Sequence, residues 1–352
     1  MNKKFFSELL FPVLLLNFTS QVFATGQNSE TFAIECQGKT YNPPQYAFDP
    51  MAGYSISNFE IPLWMVWASE GKRDITKGLL KKWGFENTIL FGKGLYGSQG
   101  LLSSHRDYDI LVFRGTQNAE EYFWDSLIMP AKTKYKNLNG KVHSGIYRHF
   151  NNLLPEIERA FLVIDKDHSP DRPLIVAGHS MGGALAILAT LHFSIMKKNI
   201  MALYTSAQVK VGDRTFMNEF SGIFMGKYYR IEHITDIVPN LAPSAQLAEK
   251  FSRILPAKQL RPVIEKAVKK LDYGPQTGEL WQISAEGLTY MGYNNSFEIE
   301  SRYWDDWPEP GRNGEDPYLG TAREVKKRTR NHSPTQYLCE AYQSIFPEPH
   351  SP

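Results

Sequence analysis

The stretch DRPLIVAGHSMGGALAILATLH, residues 171–192, joins a strand pattern, a tight turn and a helix pattern without a spacer. Pro173–Ala177 is short, branched and uninterrupted, which suits a central parallel strand covered on both faces. It runs into Gly178-His179-Ser180-Met181-Gly182-Gly183, where one serine is flanked by glycines. An alanine-rich run, Ala184–Leu191, continues as a helix that starts at about Met181. A strand that turns straight into a helix around one serine needs small flanks, because larger side chains would meet neighbouring backbone.

The same rhythm extends outward. GLYGSQGLLSSHRDYDILVFRGT reads as a hairpin, with a strand near 97–102, a polar turn at Ser103–Asp107 and a strong strand over 108–114. Ile146, Phe150, Leu153, Leu154, Ile157, Phe161 and Ile164 recur at helical spacing, and Pro155 predicts a kink or a start within that helix. After the serine turn come a strand-like ALYTSAQVKVG (202–212), a helix around Phe216–Phe220 and a strand KYYRIEHI (227–234). Alternating strands and helices imply an α/β fold: a mostly parallel central sheet flanked by helices. SISNFEIPLWMVWASEG and ITKGLLKKWGF, within 55–85, read as helical or mixed cover. A late insertion spans about 244–276; it is helical in period but broken by Pro256 and Pro262. Lys250, Arg253, Lys258, Arg261, Lys266, Lys269 and Lys270 make it basic. It reads as a solvated helical hairpin or as a surface drawn to anionic lipid headgroups. Strand character resumes in GELWQIS and GLTYMGY, and YWDDWPEPGRNGEDPY (303–318) reads as an acidic loop.

The chain has 352 residues, 42% hydrophobic, enough for one large α/β domain over 25–352. Its net charge of +2 gives no electrostatic case for nucleic acid, and no nucleic-acid-binding motif is present. Residues 1–24 place Lys3 and Lys4 before an apolar stretch and end in Val22-Phe23-Ala24, which reads as a secretory signal cleaved after Ala24. Glu8, Pro12 and Asn17 interrupt that stretch and argue against a membrane anchor. An extracellular or periplasmic destination would let Cys36 and Cys339 form one disulfide, the alternative being two buried thiols.

Ser180 is the candidate nucleophile, and a helix N-terminus beside it favours developing negative charge. A serine hydroxyl needs a base, and the base needs an orienting carboxylate. In the α/β-hydrolase arrangement the chain order is serine, acid, histidine, which confines the search to residues after Ser180. Asp213 and Asp236 each follow a strand. Asp236, after RIEHIT, is preferred, since Asp213 in VGDRTF reads as a helix cap. His233 precedes the acid and His350 lies in the tail, leaving His332 in NHSP, ahead of a terminal helix over Thr335–Tyr342. The backbone N–H of Met181 and that of Thr116, after ILVFRG, are the candidate oxyanion donors.

Six stretches in order resemble the class 3 lipase family, the fungal-type triacylglycerol lipases and their plant and bacterial relatives. They are ILVFRGT (110–116), VHSGIY (142–147), GHSMGGALA (178–186), VGDRTF (211–216), TDIVPNLAP (235–243) and NHSPTQYL (331–338). The resemblance implies an α/β-hydrolase fold with Ser180, Asp236 and His332 as triad, Thr116 and Met181 as oxyanion donors, and no metal or cofactor. It also implies a lid at Gln117–Lys132, where an apolar cluster sits beside Glu120, Glu121 and Asp125; the alternative is a helix packed on the core. The chain departs from the family in TSAQVKVG, where Val209 and Lys210 stand in place of a proline and the usual basic residue. The expectation is an exported serine ester hydrolase acting on lipid acyl esters at a membrane or emulsion interface. Competing expectations are a phospholipase or galactolipase, an esterase of soluble esters, an acyltransferase, or an inactive fold that binds lipid or protein.

Overall fold

The computed structural model describes residues 32–344, except 46–47, 50–54, 71–72, 93–99, 116–130, 135–137, 167, 170, 272, 285 and 294–295. Its centre is an eight-stranded sheet whose spatial order follows the chain. The strands are β1 (Glu86–Phe91), β2 (Gly100–Ser104), β3 (Asp109–Phe113), β4 (Pro173–His179), β5 (Asn199–Ser206), β6 (Tyr228–His233), β7 (Glu279–Ser284) and β8 (Gly287–Gly292). Strands β3 to β7 are mutually parallel. β1, β2 and β8 join the two ends antiparallel.

Each parallel crossover steps one strand in the same direction. Crossovers of one hand must then lay their helices on one face of the sheet. They do: α3 (Ser144–Ile164), α4 (Met181–Ile195) and α5 (Arg214–Ile223) share a single apolar cluster with Leu111, Phe113, Leu174, Val176 and Leu203. The opposite face carries Ile110, Val112, Ile175, Ala177, Tyr204 and Ile231, as strand alternation dictates. It is covered by segments from the chain's two ends. Helices α1 (Ile56–Ser69) and α2 (Arg73–Lys82) come from before the sheet, and α10 (Pro334–Ser344) closes the described chain. The disulfide Cys36–Cys339 joins these two covers across 303 residues of sequence.

The late segments add α6 (Ala248–Arg253), α7 (Arg261–Leu271), α8 (Ser296–Asp305) and α9 (Pro317–Thr329). Phe251, Ile264, Val268, Tyr303, Trp304 and Trp307 pack them into the first cluster. Pro262 stands in the first turn of α7, where a missing N–H costs nothing, so it starts that helix instead of breaking it. Tyr303–Asp305 likewise belong to α8 and not to the acidic loop.

Two other expectations shift for local reasons. Helix α3 begins at Ser144, not at Pro155; Pro155 lies inside it on the exposed side. Its start is set by His143, whose Nδ1 accepts from the N–H groups of Gly145 and Ile146 at 3.0 and 3.2 Å. The strand expected over 202–212 ends at Ser206, because Ala207 takes the left-handed φ of 46°. Residues beyond it turn back over the site: Val211 O accepts from His143 N–H at 2.7 Å, and Val209 N–H donates to Ser180 O at 3.3 Å. Asp213 caps α5 as expected, its carboxylate accepting from Phe216 N–H at 2.8 Å.

Candidate active site

Ser180 sits between β4 and α4 with φ 57° and ψ −125°, a backbone conformation that costs a non-glycine residue about 1–3 kcal/mol. Hydrogen bonds hold it there. Ser180 N–H donates to Ser206 O at 2.9 Å, and Ser180 O accepts from Gly183 N–H at 3.0 Å. The flanking glycines are dictated by close approach. A Cβ on Gly178 would strike the Gly182 carbonyl, and one on Gly182 would strike the carbonyl oxygens of Phe113 and Arg114. The elbow therefore rests directly on the end of β3, the strand that leads to Gly115 and Thr116.

Around Ser180 the carboxyl ends of neighbouring strands supply the remaining groups, where open α/β sheets place their sites. Asp236 follows β6 and is fully buried. His332 lies in the short turn between α9 and α10. The His332 Nε2 stands 2.8 Å from Ser180 Oγ, and its Nδ1 stands 2.9 Å from Asp236 Oδ2. Side chains 152 and 96 residues apart in sequence thus form one continuous hydrogen-bonded chain. With Nδ1–H donated to the carboxylate, Nε2 is left as the acceptor facing the serine hydroxyl.

The carboxylate is held from three sides. Besides His332, Asp236 Oδ1 accepts from Val238 N–H at 2.9 Å, and Oδ2 accepts from the Tyr337 hydroxyl at 2.9 Å. That hydroxyl in turn accepts from His233 N–H at 2.9 Å. Tyr337 had no local signal in QYL (336–338); only its spacing of five residues after His332, on the following helix, could have suggested it.

His179, beside the serine, is buried, with its ring centroid 5.0 Å from that of His332. Its Nδ1 is 2.9 Å from Ser206 Oγ. Burial, reinforced by the neighbouring His332, pushes the His179 imidazole well below the usual histidine range, so it stays neutral beside the second ring. Lys210, in the TSAQVKVG stretch, also has a structural role. Lys210 Nζ meets Glu300 Oε1 at 2.5 Å, with both side chains buried, and Glu300 accepts from Ser244 N–H at 3.3 Å. The loop behind the elbow is thereby fastened to α8 of the late segments.

Met181, the expected oxyanion donor, is the first residue of α4, so its N–H belongs to the first-turn amides that have no acceptor inside the helix. Thr116 and residues 117–130 of the expected lid lie outside the described residues, as does His350. Of that lid segment only the backbone of 131–132 is described, in a short strand, Ala131–Lys134, paired with Lys141–His143.

A largely parallel sheet with a strained serine at the turn from a central strand into a helix defines the α/β-hydrolase class. The sequence model described as Lipase (class 3) matches residues 110–246. A lipase of Rhizomucor miehei is 32% identical over 142 residues, 38% of this chain and 38% of that protein. The triacylglycerol lipase OBL1 of Arabidopsis thaliana is 30% identical over 176 residues, 38% of this chain and 33% of that protein. In fold, the crystal structure of a lipase from Rhizopus microsporus var. chinensis covers 84% of this chain and 100% of its own, with TM-score 0.53 and 18% identity. Residues 110–246 are thus similar to the class 3 lipases in sequence, and the fold is that of the α/β-hydrolases. The matched region spans 38% and 33% of the length of these two sequence relatives.

Proposed function

We propose that this protein is an exported serine ester hydrolase that cleaves lipid acyl esters of the triacylglycerol type. The observation that carries the reading is the hydrogen-bonded chain from Ser180 Oγ through His332 to Asp236. In this reading His332 Nε2 takes the hydroxyl proton as Ser180 Oγ attacks the ester carbonyl. Asp236, held in place by donors from Val238 and Tyr337, orients the ring and stabilises the imidazolium. The Met181 N–H, together with Thr116, receives the oxyanion. His332 then returns the proton to the departing alcohol, and water, activated by the same imidazole, releases the fatty acid from Ser180. The names of the relatives, lipase and triacylglycerol lipase, support the substrate class. Export through residues 1–24, leaving one domain over 25–352, fits a disulfide that forms in oxidising compartments.

The test is a substrate panel on the mature chain: a long-chain triacylglycerol emulsion, a phospholipid, a galactolipid and a short soluble ester. The emulsion is expected to be turned over fastest. Ser180→Ala should lose about 10^4-fold or more of turnover and all fluorophosphonate labelling, with the fold retained. Retention of most activity in that variant would refute the mechanism.

A further inference from the structure

The base reaches the site by a route the sheet does not control. Asp236 follows β6 directly, whereas His332 arrives after β8, α8 and α9, on a short turn between two helices. A base held to its acid by one hydrogen bond could pivot about it. The structure places a second rung beside the first. Asn331 Nδ2 donates to Thr235 Oγ1 at 2.6 Å. Thr235 and Asn331 each immediately precede the acid and the base, so both rungs span the same 96 residues. The second rung is itself anchored. Thr235 Oγ1 lies 3.0 Å from His233 Nδ1, and Thr235 N–H donates to the same nitrogen at 3.2 Å. With Asn331 donating to the hydroxyl oxygen, the hydroxyl proton is free to point at His233 Nδ1, which also stands 3.5 Å from Asn331 Nδ2. His233 is buried at the end of β6, and its own N–H is tied to Tyr337.

Resting on the proposed hydrolase reading, we infer that Asn331 and Thr235 are positioning residues: their side-chain bond fixes the acid-bearing and base-bearing turns against each other and so sets the direction of His332 Nε2. The two turns otherwise depend on α9 and α10 for their relative placement. Two parallel rungs remove the pivot that one rung leaves. The effect belongs to the reaction step and not to substrate binding, since the bond joins the residues next to the acid and the base and acts through the turns that carry them. Misplacement of a reacting group by about 1 Å can cost about a hundredfold in rate. Loss of one of two rungs, with the Asp236 bond intact, should cost less, about tenfold.

The experiment measures kcat and KM on a soluble short-chain ester, with thermal unfolding of every variant, for Asn331→Ala, Thr235→Val, the double variant and Thr235→Ser. The expected result is a kcat lowered about tenfold in each of the first two, with KM changed less than twofold. The double variant should be no worse than either single one, because all three remove the same bond. Thr235→Ser, which keeps the hydroxyl, should restore most of what Thr235→Val loses. An unchanged kcat in Asn331→Ala, multiplying losses in the double variant, or no restoration by serine would each overturn the inference. A loss that tracks the unfolding midpoint across the set would mark the bond as merely structural and overturn it too. Ser180→Ala, run in parallel, separates the two levels: its inactivity alongside a fully active Asn331→Ala refutes only the second rung, while an active Ser180→Ala refutes the hydrolase reading.

Discussion

Replacing Tyr337 with phenylalanine removes one oxygen and two hydrogen bonds at once. The hydroxyl donates to Asp236 Oδ2 at 2.9 Å and accepts from His233 N–H at 2.9 Å, and the side chain is fully buried. A hydrogen bond to a charged group contributes about 1.5–3 kcal/mol, and a buried N–H left without a partner costs about 1–3 kcal/mol. The losses overlap, so about 2–5 kcal/mol is expected. At roughly 2–4 °C per kcal/mol for a large domain, the melting temperature should fall by roughly 5–15 °C. Catalysis should suffer less than in a triad deletion. Asp236 keeps the Val238 N–H and the His332 ring, so a kcat lowered about tenfold is expected, with KM little changed. Calorimetry and ester kinetics on the same preparation check both. A melting temperature within 2 °C of the parent's would show that the hydroxyl does not bridge these groups, and would refute the reasoning.

Other consequences follow from the second face of the sheet. Changing both Cys36 and Cys339 to serine should cost about 2–5 kcal/mol of stability, read from denaturant unfolding, and lower ester turnover through α10; an unchanged midpoint would contradict this. Glu60, buried in α1 against the Tyr342 hydroxyl, is pushed by burial from 4.5 up to about 7, against the opposing bonds of Tyr342 and Trp64. Below about pH 4.5 both folded and unfolded chains hold its proton. As pH rises toward 7 the unfolded chain ionises first, so Glu60 withdraws stability across that window, ~3 kcal/mol when complete. Glu60→Gln should therefore stabilise the protein more at pH 8 than at pH 4.5, measured by urea unfolding, and equal gains at both would count against it.

The parts of this molecule that sequence exposed are those written in neighbouring residues. The elbow is legible because strand, turn and helix are consecutive from Pro173 to Ile195, and because glycine at 178 and 182 has a steric reason. The cap at Asp213 is equally local. His332 and Asp236 were reachable only through chain order, a topological rule and not a local one. Tyr337, Lys210–Glu300 and Thr235–Asn331 were not legible, since each depends on two segments that meet only after the sheet is built. The overrun of the strand past Ser206 has the same origin. ALYTSAQVKVG suits a strand throughout, but Val209 and Val211 find their backbone partners in Ser180 and His143, and that tertiary pairing overrides propensity.

The proposed nucleophile and the proposed base are thus secured by different halves of the fold. Ser180 is fixed from within the sheet, by the β5 backbone and by contact with the end of β3. His332 is fixed from outside it, by α10. That helix carries Tyr337 to the acid, Cys339 to the N-terminal cover and Tyr342 to α1, where Trp64 Nε1 donates to its hydroxyl at 3.1 Å. Damage to the second-face cover should therefore reach the base before the nucleophile. A variant lacking the disulfide should keep the strained elbow and its fluorophosphonate-accessible serine while losing the general-base step. That would appear as labelling slowed in proportion to turnover, with the central sheet still protected from hydrogen exchange. Equal loss of protection in β4 and α10 would show instead that the two halves unfold as one, and that the terminal helix has no separate hold on the imidazole.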